Sequence, residues 1–407
     1  MERVRNVLLL AAAMCVLAPV AAATGSSLPL PTRLADALAV GGNPTAASGA
    51  IALDLDTGQV LFARHADLPL APASNEKLTV TFAALRELGP DYRFGTEVLA
   101  TGSQSGAVWE GNVFLKGFGD PSLTSLGLSR LATQLHQLGI TRITGRVFAD
   151  ESWFDTVRTA PGWKPSFYVN ECPPLSALEV NGDVVADRIS LEPALSAAIL
   201  FKQLLKKHGI ASGAVGSGTA PDSANALAIT ESGPLASIIE QMDRNSDNFV
   251  AEMLVKDLGA QIGGAGTTAA GTAVVRNDLS AAGVPLAGVR LADGSGLSEL
   301  DRLTPRAVAT LLLDAWKDTT LRTVFWQALP VAGVNGTLED RMEQAPARGN
   351  VRAKTGTTDL ASALSGYAGT RYAFAVLQNG SPVHEWPARK AQDRFATALA
   401  SAAEQLQ

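Results

Sequence analysis

Apolar runs near the two ends of the chain predict strands that would form a single sheet. Residues 50–55 and 59–62 flank Asp56-Thr57-Gly58, a pattern that predicts a β-hairpin. Residues 351–358, 362–368 and 372–377 have the length and composition of three consecutive antiparallel strands. Because a sheet needs both faces covered, we expect the two ends of the chain to close one α/β domain together with helices.

Helical periodicity surrounds these predicted strands. Leu34 and Leu38, four residues apart, indicate a short helix before the hairpin. A helix that begins near Ser74 and ends at Gly89-Pro90 is predicted from one apolar face. Further helices are predicted at residues 235–242, 249–258 and 307–316, followed by a last helix whose apolar stripe is Phe395, Leu399, Ala402 and Leu406.

The middle of the chain has a different pattern of apolar and polar residues. Short apolar runs at residues 113–115 and 146–149 are separated by Gly, Pro and Asp, while residues 126–138 and 194–207 have helical periodicity. We therefore predict a β-rich accessory domain at residues 91–229, inserted into a first domain formed by residues 24–90 and 230–407.

The first 23 residues have the features of a secretory signal peptide. Arg3 and Arg5 precede an unbroken apolar run from residue 7 to residue 16, and three alanines end at Ala23. Cleavage after Ala23 and a periplasmic location are expected, with no integral membrane span left in the mature chain. An uncleaved membrane anchor is the alternative, although the apolar run is short for a bilayer span.

Composition excludes several classes of function. The formal net charge is −6 and no basic run is present, so no nucleic-acid partner is expected. The four histidines are scattered without metal-ligand spacing, so neither a metal nor another cofactor is expected. Cys172 is the only cysteine after the predicted cleavage site, which excludes an internal disulfide and indicates a structural role.

Three short motifs occur in a fixed order along the chain. Each is common by itself, and a second S-x-N at residues 223–225 is set aside because it lies in a polar segment of the predicted insertion. The order in which they occur is more specific than any one of them, and it favours a serine acyl-transfer enzyme. The motifs are Ser74-Asn75-Glu76-Lys77, Ser246-Asp247-Asn248 and Lys354-Thr355-Gly356.

The residue types in these motifs suit nucleophilic catalysis. Ser74 and Lys77 are three residues apart on a predicted helix and share one face, so a lysine with a lowered pKa could activate the serine. Burial beside another cation, Lys354, would lower that pKa. Ser246 could relay a proton to the leaving amine, and Asn248 could hold Lys77 and the substrate amide.

The K-T-G strand is expected to bind the substrate. Lys354 suits a terminal carboxylate, and Gly356 permits a peptide to approach the strand edge closely. Thr355 and Thr357 flank this glycine as further substrate contacts. The backbone N–H groups of Ser74 and Thr357 are the expected oxyanion hole.

With these motifs placed, the chain resembles the low-molecular-mass class C penicillin-binding proteins, the D-alanyl-D-alanine carboxypeptidase/endopeptidase family. The long interval between Lys77 and Ser246 is typical of that family, whereas β-lactamases have a far shorter one. The segments that carry the resemblance are 73–77, 119–123, 247–252, 293–298 and 352–357.

The resemblance implies a β-lactamase-like transpeptidase domain, an antiparallel sheet with helices on both sides, and an inserted β-rich domain. Many relatives nest a third domain within the second, but residues 178–182 run almost directly into residues 189–191 here. We therefore expect the third domain to be missing or reduced to a loop. No catalytic role is assigned to the glycine-rich segment 293–296.

The resemblance also implies the reaction and its ligands. Ser74 would form an acyl-enzyme with D-alanyl-D-alanine stem peptides of peptidoglycan, and β-lactams would acylate the same serine. Asp150 is matched to the acidic residue that binds the free amino group of the stem peptide. The alternatives are a β-lactamase or serine esterase on the same fold, which the large insertion disfavours, and a non-catalytic peptidoglycan-binding protein, which would not need all five motif side chains.

Overall fold

The computed structural model describes residues 28–39, 47–185 and 187–406. The predicted signal sequence, residues 1–23, lies outside this part of the chain. The helices of the described residues are α1 Leu30–Ala37, α2 Lys77–Glu87, α3 Ser125–Gln137, α4 Pro193–Lys207, α5 Leu235–Asn245, α6 Asn248–Gln261, α7 Thr268–Ala281, α8 Pro305–Lys317, α9 Arg322–Ala328 and α10 Glu385–Glu404. The strands are β1 Ser48–Asp54, β2 Val60–Arg64, β3 Gly95–Ala100, β4 Ser103–Ser105, β5 Val108–Glu110, β6 Val113–Gly117, β7 Arg142–Ile143, β8 Val147–Asp150, β9 Val184–Val185, β10 Arg188–Ile189, β11 Val215–Ser217, β12 Asn225–Glu231, β13 Val351–Thr357, β14 Ala361–Ala368 and β15 Tyr372–Asn379.

The first sheet joins the two ends of the chain. Its strand order is β13-β14-β15-β1-β2, and every neighbouring pair is antiparallel. The hairpin expected from residues 50–62 is the β1–β2 pair, and the three strands expected near the end of the chain are β13, β14 and β15. The pairing of β1 with β15 places the K-T-G strand in the same sheet as the start of the chain.

Helices cover both faces of this sheet. Ala50 and Ala52 face a layer formed by α1 and α10, whereas Ile51 and Leu53 face a layer that contains α2 and α8. Neighbouring residues of β1 are thus buried on opposite faces, because side chains alternate along a strand. We call the two layers together the first core. The expected antiparallel sheet with helices on both sides is confirmed.

A second sheet lies within residues 95–231. Its order is β11-β8-β6-β3-β12, with β6, β8 and β11 parallel and the other pairs antiparallel. Helices α3 and α4 pack on it and bury Leu131 and Phe201 completely. We call this cluster, which draws its residues from 98 to 228, the second core. The division of the chain into domains at residues 91 and 229 stays a prediction.

Only a short hairpin, β9–β10, stands where relatives would nest a third domain. Val184 pairs with Ile189 and Val185 with Arg188. The interval from residue 182 to residue 189 is too short to hold a further core. This agrees with the expected loss or reduction of the third domain.

A third group of buried side chains, which we call the seam cluster, joins the segment after β8 to the first core. Its fully enclosed members include Cys172, whose thiol pKa is raised well above its usual value by burial and by nearby carboxylates, chiefly Glu252. The cysteine is a free thiol. The seam cluster consists of Phe154, Cys172, Leu175, Ala177, Phe249, Met253 and Leu297.

Three details differ from the sequence expectations. Leu406 lies beyond the end of α10 and is 64% exposed, so the predicted stripe ends at Ala402. Helix α7 was not predicted, because it packs on α6 through small residues: a Cβ on Gly271 would lie 1.8 Å from the carbonyl oxygen of Val255. Helix α9 is too short for its periodicity to be read.

No helix of the described ranges has the length and apolarity needed to span a bilayer.

Candidate active site

Ser74 lies in a 3₁₀ turn, Ala73–Glu76, that leads directly into α2. We call this segment the nucleophile turn. Ala73 has a φ of +47°, a left-handed conformation that is costly for an alanine and that recurs at functional sites. Asn75 donates a hydrogen bond from Nδ2 to the carbonyl oxygen of Lys354 at 2.9 Å, which fastens the turn to β13. The hydroxyl of Ser74 is therefore presented beside the K-T-G strand.

Lys77 is fully buried, and its ammonium group has three partners. Nζ donates to Ser74 Oγ at 3.1 Å, to Asn248 Oδ1 at 2.8 Å and to the carbonyl oxygen of Ser295 at 2.8 Å. Burial lowers the pKa of Lys77 to about 8, although nearby carboxylates, Asp293 first, oppose the shift. Desolvation, which was expected from the sequence together with a neighbouring cation, is the main cause. A lysine with this pKa can take a proton from serine near neutral pH.

The S-x-N motif forms the connection between α5 and α6. Ser246 has a φ of +60° and ends α5, and the Asp247 side chain caps α6 by accepting from Val250 N at 3.1 Å. Asn248, the first residue of α6, accepts from Lys77 and donates from Nδ2 to the carbonyl oxygen of Glu171 at 2.9 Å. The connection therefore places both polar side chains of the motif beside Ser74.

Lys354 lies on β13 and is completely buried. Its Nζ donates to Ser246 Oγ at 2.8 Å and to the carbonyl oxygen of Thr355 at 3.1 Å. Burial and the charge of Lys77 lower its pKa to about 7, while Asp243 opposes the shift. The two lysines thus reach Ser74 and Ser246 through direct hydrogen bonds.

The hydroxyl-bearing residues of the strand line two cavities. Thr355 and Thr357 lie on a cavity of about 440 Å³ together with both motif serines, and Thr357 also borders a second cavity of about 360 Å³. A Cβ on Gly356 would lie 3.1 Å from Ser74 N and 2.8 Å from the carbonyl oxygen of Pro72. Only glycine permits this close approach of the strand to the nucleophile turn.

Asp150 stands apart from this group. It ends β8 in the second sheet and is 1% exposed. Its Oδ1 accepts from Ser152 N at 2.9 Å, its Oδ2 accepts from Ala220 N at 2.8 Å, and Lys116 Nζ lies 3.9 Å away. These partners all belong to the second sheet or its neighbouring loops. Substrate binding by Asp150 stays a prediction, and its contacts do not support it.

The sequence reasoning missed one group that contacts the catalytic side chains. Ser295 accepts from Lys77 through its backbone carbonyl, so its side-chain type carried no signal. The glycines that flank it were visible, and a G-S-G segment indicates a close backbone approach.

Among the described residues, no group of three or more His, Cys, Asp or Glu side chains is arranged to hold a metal ion.

Comparisons with known proteins identify relatives of this chain. A D-alanyl-D-alanine carboxypeptidase of Actinomadura sp. is 32% identical over 87% of this chain and 81% of that protein. The alignment runs over 442 residues, more than the 407 of this chain, so the relative contains segments that are missing here. A carboxypeptidase of Mycobacterium tuberculosis is 33% identical over 85% of this chain and 78% of that protein.

Solved structures show the same fold. Penicillin-binding protein 4 of Haemophilus influenzae superposes with a TM-score of 0.78 over 92% of this chain and 99% of that chain, at 22% identity. The family model of D-Ala-D-Ala carboxypeptidase 3 (S13) matches residues 30–191 and 184–402, two segments that meet at the β9–β10 hairpin. This match covers nearly all described residues, and the chain belongs to the D-Ala-D-Ala carboxypeptidase 3 (S13) family.

Proposed function

We propose that this D-Ala-D-Ala carboxypeptidase forms an acyl-enzyme on Ser74 with the stem peptides of peptidoglycan. The observation that carries the proposal is the 3.1 Å contact between Lys77 Nζ and Ser74 Oγ, made by a buried lysine with a lowered pKa. Lys77 takes the hydroxyl proton while Oγ attacks the carbonyl carbon of the penultimate D-alanine. The C–N bond then breaks, and Ser246 passes a proton to the leaving amine. Water releases the acyl group.

The larger cavity suits the leaving residue and its carboxylate. Arg341 and Arg389 border it together with Asp340, Thr355 and Thr357; Arg341 is paired with Asp393, and Arg389 with Glu385. Lys354 is buried behind this wall, so we assign it to the relay through Ser246 and to the positive potential of the cavity. The hydroxyls of Thr355 and Thr357 line the cavity and can donate to a terminal carboxylate, while the two arginines add to its positive potential.

The second cavity suits the amino group of the stem peptide. Glu171, Asp359 and Glu385 border it, together with the apolar side chains of Phe167 and Leu297. Asp359 is paired with Lys164 and Glu385 with Arg389, so Glu171 is the carboxylate of this cavity that can bind a cation. A carboxylate beside an apolar wall favours a side chain with a methylene stem and an ammonium end. Because Asn248 binds the carbonyl oxygen of Glu171, that residue is fixed next to the catalytic groups. We therefore propose this cavity, in place of Asp150, as the amine site.

Glu171→Gln tests the amine site. We expect a higher KM for a stem peptide with a free side-chain amine, because the variant loses one carboxylate charge. The same peptide with an acetylated amine is the matched control, and its KM should not change. An equal rise for both peptides would contradict the assignment.

Export is a further part of the proposal. Cleavage after Ala23 would place the enzyme in the periplasm, where peptidoglycan lies. Intact mass of the protein recovered from its native compartment should correspond to a chain that begins at Thr24. A mass that includes the first 23 residues would favour an anchored form.

The acyl-enzyme is tested by intact mass with and without a penicillin. We expect the wild type to gain the mass of one antibiotic and the Ser74→Ala variant to gain none. Ser223→Ala, in the S-x-N that lies away from the site, is the control and should be acylated normally. An adduct on the Ser74→Ala variant would contradict the proposal. Rapid loss of drug without a lasting adduct would instead indicate a β-lactamase, and intact drug without an adduct would indicate a binding protein.

A further inference from the structure

The segment Asp293–Ser298, which we call the 293–298 loop, lies between two elements that carry catalytic residues. Gly296 has a φ of +80°, and a Cβ there would lie 1.9 Å from the carbonyl oxygen of Ala73 in the nucleophile turn. A Cβ on Gly294 would lie 2.5 Å from Val255 Cγ2 on α6. The loop is therefore held tightly between the nucleophile turn and α6, backbone against backbone.

The carbonyl of Ser295 helps to decide which way the amine of Lys77 points. A neutral amine has two N–H donors and one lone pair. Asn248 Oδ1 and the Ser295 carbonyl can only accept, so they take the two N–H groups at 2.8 Å each. The remaining direction, the lone pair, then faces Ser74 Oγ at 3.1 Å. If either acceptor moved, the amine could rotate and the lone pair would leave the serine.

Glu252 anchors Ser295 to α6 through backbone N–H groups. Its Oε1 accepts from Gly294 N at 3.0 Å and from Ser295 N at 2.8 Å, and its side chain is completely buried. Glu252 stands four residues after Asn248 on α6, so both lie on the same face of that helix. One helix therefore sets both acceptors of Lys77, one directly and one through the loop.

Asp293 orients the peptide group that carries the Ser295 carbonyl, because the N–H of that group belongs to Gly296. Its Oδ1 accepts from Gly296 N at 2.8 Å, and its Oδ2 accepts from Ser298 N at 2.8 Å and from Trp163 Nε1 at 2.8 Å. These bonds shape the loop and tie it to the segment that follows β8. The link between the loop and α6 depends on Glu252.

We propose that Glu252 is a positioning residue for the acylation step, directing the lone pair of Lys77 at Ser74 Oγ by anchoring to α6 the loop that presents the Ser295 carbonyl. The inference rests on the proposed function, in which Lys77 is the base. In this role the D-G-S-G segment, residues 293–296, contributes to catalysis through its backbone, although its side chains indicate no catalytic role.

The charge of Glu252 need not be part of this role. Burial raises the pKa of Glu252 to about 8, with the charge of Asp293 adding to the shift, and Oε2 has no hydrogen-bond partner among the residues that the structure describes. A glutamine would keep the Oε1 acceptor and match the neutral acid. The ionisable groups that face Lys77 from the surrounding elements are Glu76, Asp243, Asp247, Glu252, Asp293 and Lys354.

The test compares Glu252→Ala with Glu252→Gln in the full-length enzyme. The measured quantity is the second-order rate of acylation by a labelled penicillin, per folded molecule, from acid to alkaline pH. We expect the alanine variant to be slower by about 10- to 100-fold, the range expected for a misplaced catalytic group, and the glutamine variant to stay within about threefold. The midpoint of the acid limb should also fall in the alanine variant, because the Lys77 ammonium loses a well-placed acceptor.

Glu179→Ala is the matched control. Glu179 is also buried and accepts a backbone N–H, that of Asp183 at 3.2 Å, but it lies beside the second core. We expect this variant to lose stability without any change in acylation rate or pH midpoint. If Glu252→Ala does not fold, Glu252→Met fills the same space without an acceptor and takes its place.

Each outcome decides a separate point. Wild-type rate and pH midpoint in Glu252→Ala would overturn the inference alone, as would a glutamine variant as slow as the alanine variant. An equal loss in Glu179→Ala would assign the effect to general destabilisation and overturn it too. If the wild type were not acylated, the proposed function would fail and the inference with it.

Discussion

Lys77 and Lys354 are two buried ammonium groups that need opposite charge states. Lys77 accepts a proton only when it is neutral, and its pKa is lowered by burial to about 8. Lys354 attracts a carboxylate and supplies protons to Ser246 only when it is charged, and burial with the charge of Lys77 lowers its pKa to about 7. The two requirements limit activity from opposite sides of the pH scale.

We predict a bell-shaped pH dependence of acylation. Lys77 becomes a base as the pH rises through about 8, whereas Lys354 loses its charge as the pH rises through about 7, so the form with a neutral Lys77 and a charged Lys354 is a minority that is most populated between the two values. The maximum should therefore lie between about pH 7 and 8. The second-order acylation rate measured across this range checks the prediction. A Lys354→Gln variant should be slow and should lack the alkaline limb; a wild-type rate that is flat from acid to alkaline pH would contradict it.

The side chains of the site could be predicted from the sequence, but their surroundings could not. Ser74, Lys77, Ser246, Asn248 and Lys354 are identified by residue type and order alone. The Ser295 carbonyl could not be found this way, since any residue has one. Burial was expected to lower the pKa of Lys77, but the elements that bury it could not be predicted, because they depend on how the helices cover the site. The assignment of Asp150 relied on a local match, and the strand that carries it turns the carboxylate toward backbone N–H groups.

At the level of elements, the contact between β13 and the nucleophile turn leaves no room for a side chain. Gly356 is the point of contact, because a side chain there would meet the backbone of Pro72 and Ser74 within 3.1 Å. The same strand pairs with β14 along its full length, so it cannot retreat without breaking ladder hydrogen bonds. Any added volume must therefore displace the turn that carries the nucleophile.

Gly356→Ala should consequently impair catalysis more than folding. We expect acylation to slow by at least about tenfold, since the turn must shift by tenths of an ångström. The rate of acylation and the thermal midpoint of unfolding are the measurements. Gly233→Ala is the control, because that glycine is exposed and has no atom within 4 Å of its Cβ position. Equal rates in the two variants would show that the strand tolerates the methyl group.

Helices and strands with strong apolar periodicity are found where the sequence predicts them. Helix α7, whose contact with α6 is built from small residues, was not predicted. The apolar face of α8 and the runs of β14 and β15 are long enough to be read directly. In α7 the buried face mixes the apolar Val274, Val275 and Leu279 with Thr268, Gly271 and Asp278, so its apolar periodicity is weak. Small residues such as Gly271 let α7 pack closely on α6, and the same residues weaken the apolar periodicity of its sequence.

On the scale of the whole molecule, the second core can be tested independently of the catalytic site. Phe201 is completely buried on α4, and its replacement by alanine should cost about 3–5 kcal/mol in the free energy of unfolding. If residues 91–229 are a domain, calorimetry should show two transitions, of which Phe201→Ala shifts only one. Acylation of the folded variant should stay at the wild-type rate.

Phe325→Ala is the comparison for this experiment, because Phe325 is equally buried but belongs to the first core. It should shift the other transition. A single transition lowered by both variants would show that the two cores unfold as one unit, with the seam cluster as the natural cause.

The sheet order has a consequence for when the enzyme becomes competent during synthesis. Asn75 and Lys354, which fasten the nucleophile turn to β13, are 279 residues apart, and Lys77 and Asn248 are 171 apart. Contacts of such high order form late, after the intervening chain has been made. A nascent chain that has not yet supplied β13 has its serine but no complete site. A fluorescent penicillin would therefore label only chains whose synthesis is complete. The hydrolase would have no activity in the cell until the last strands have been made.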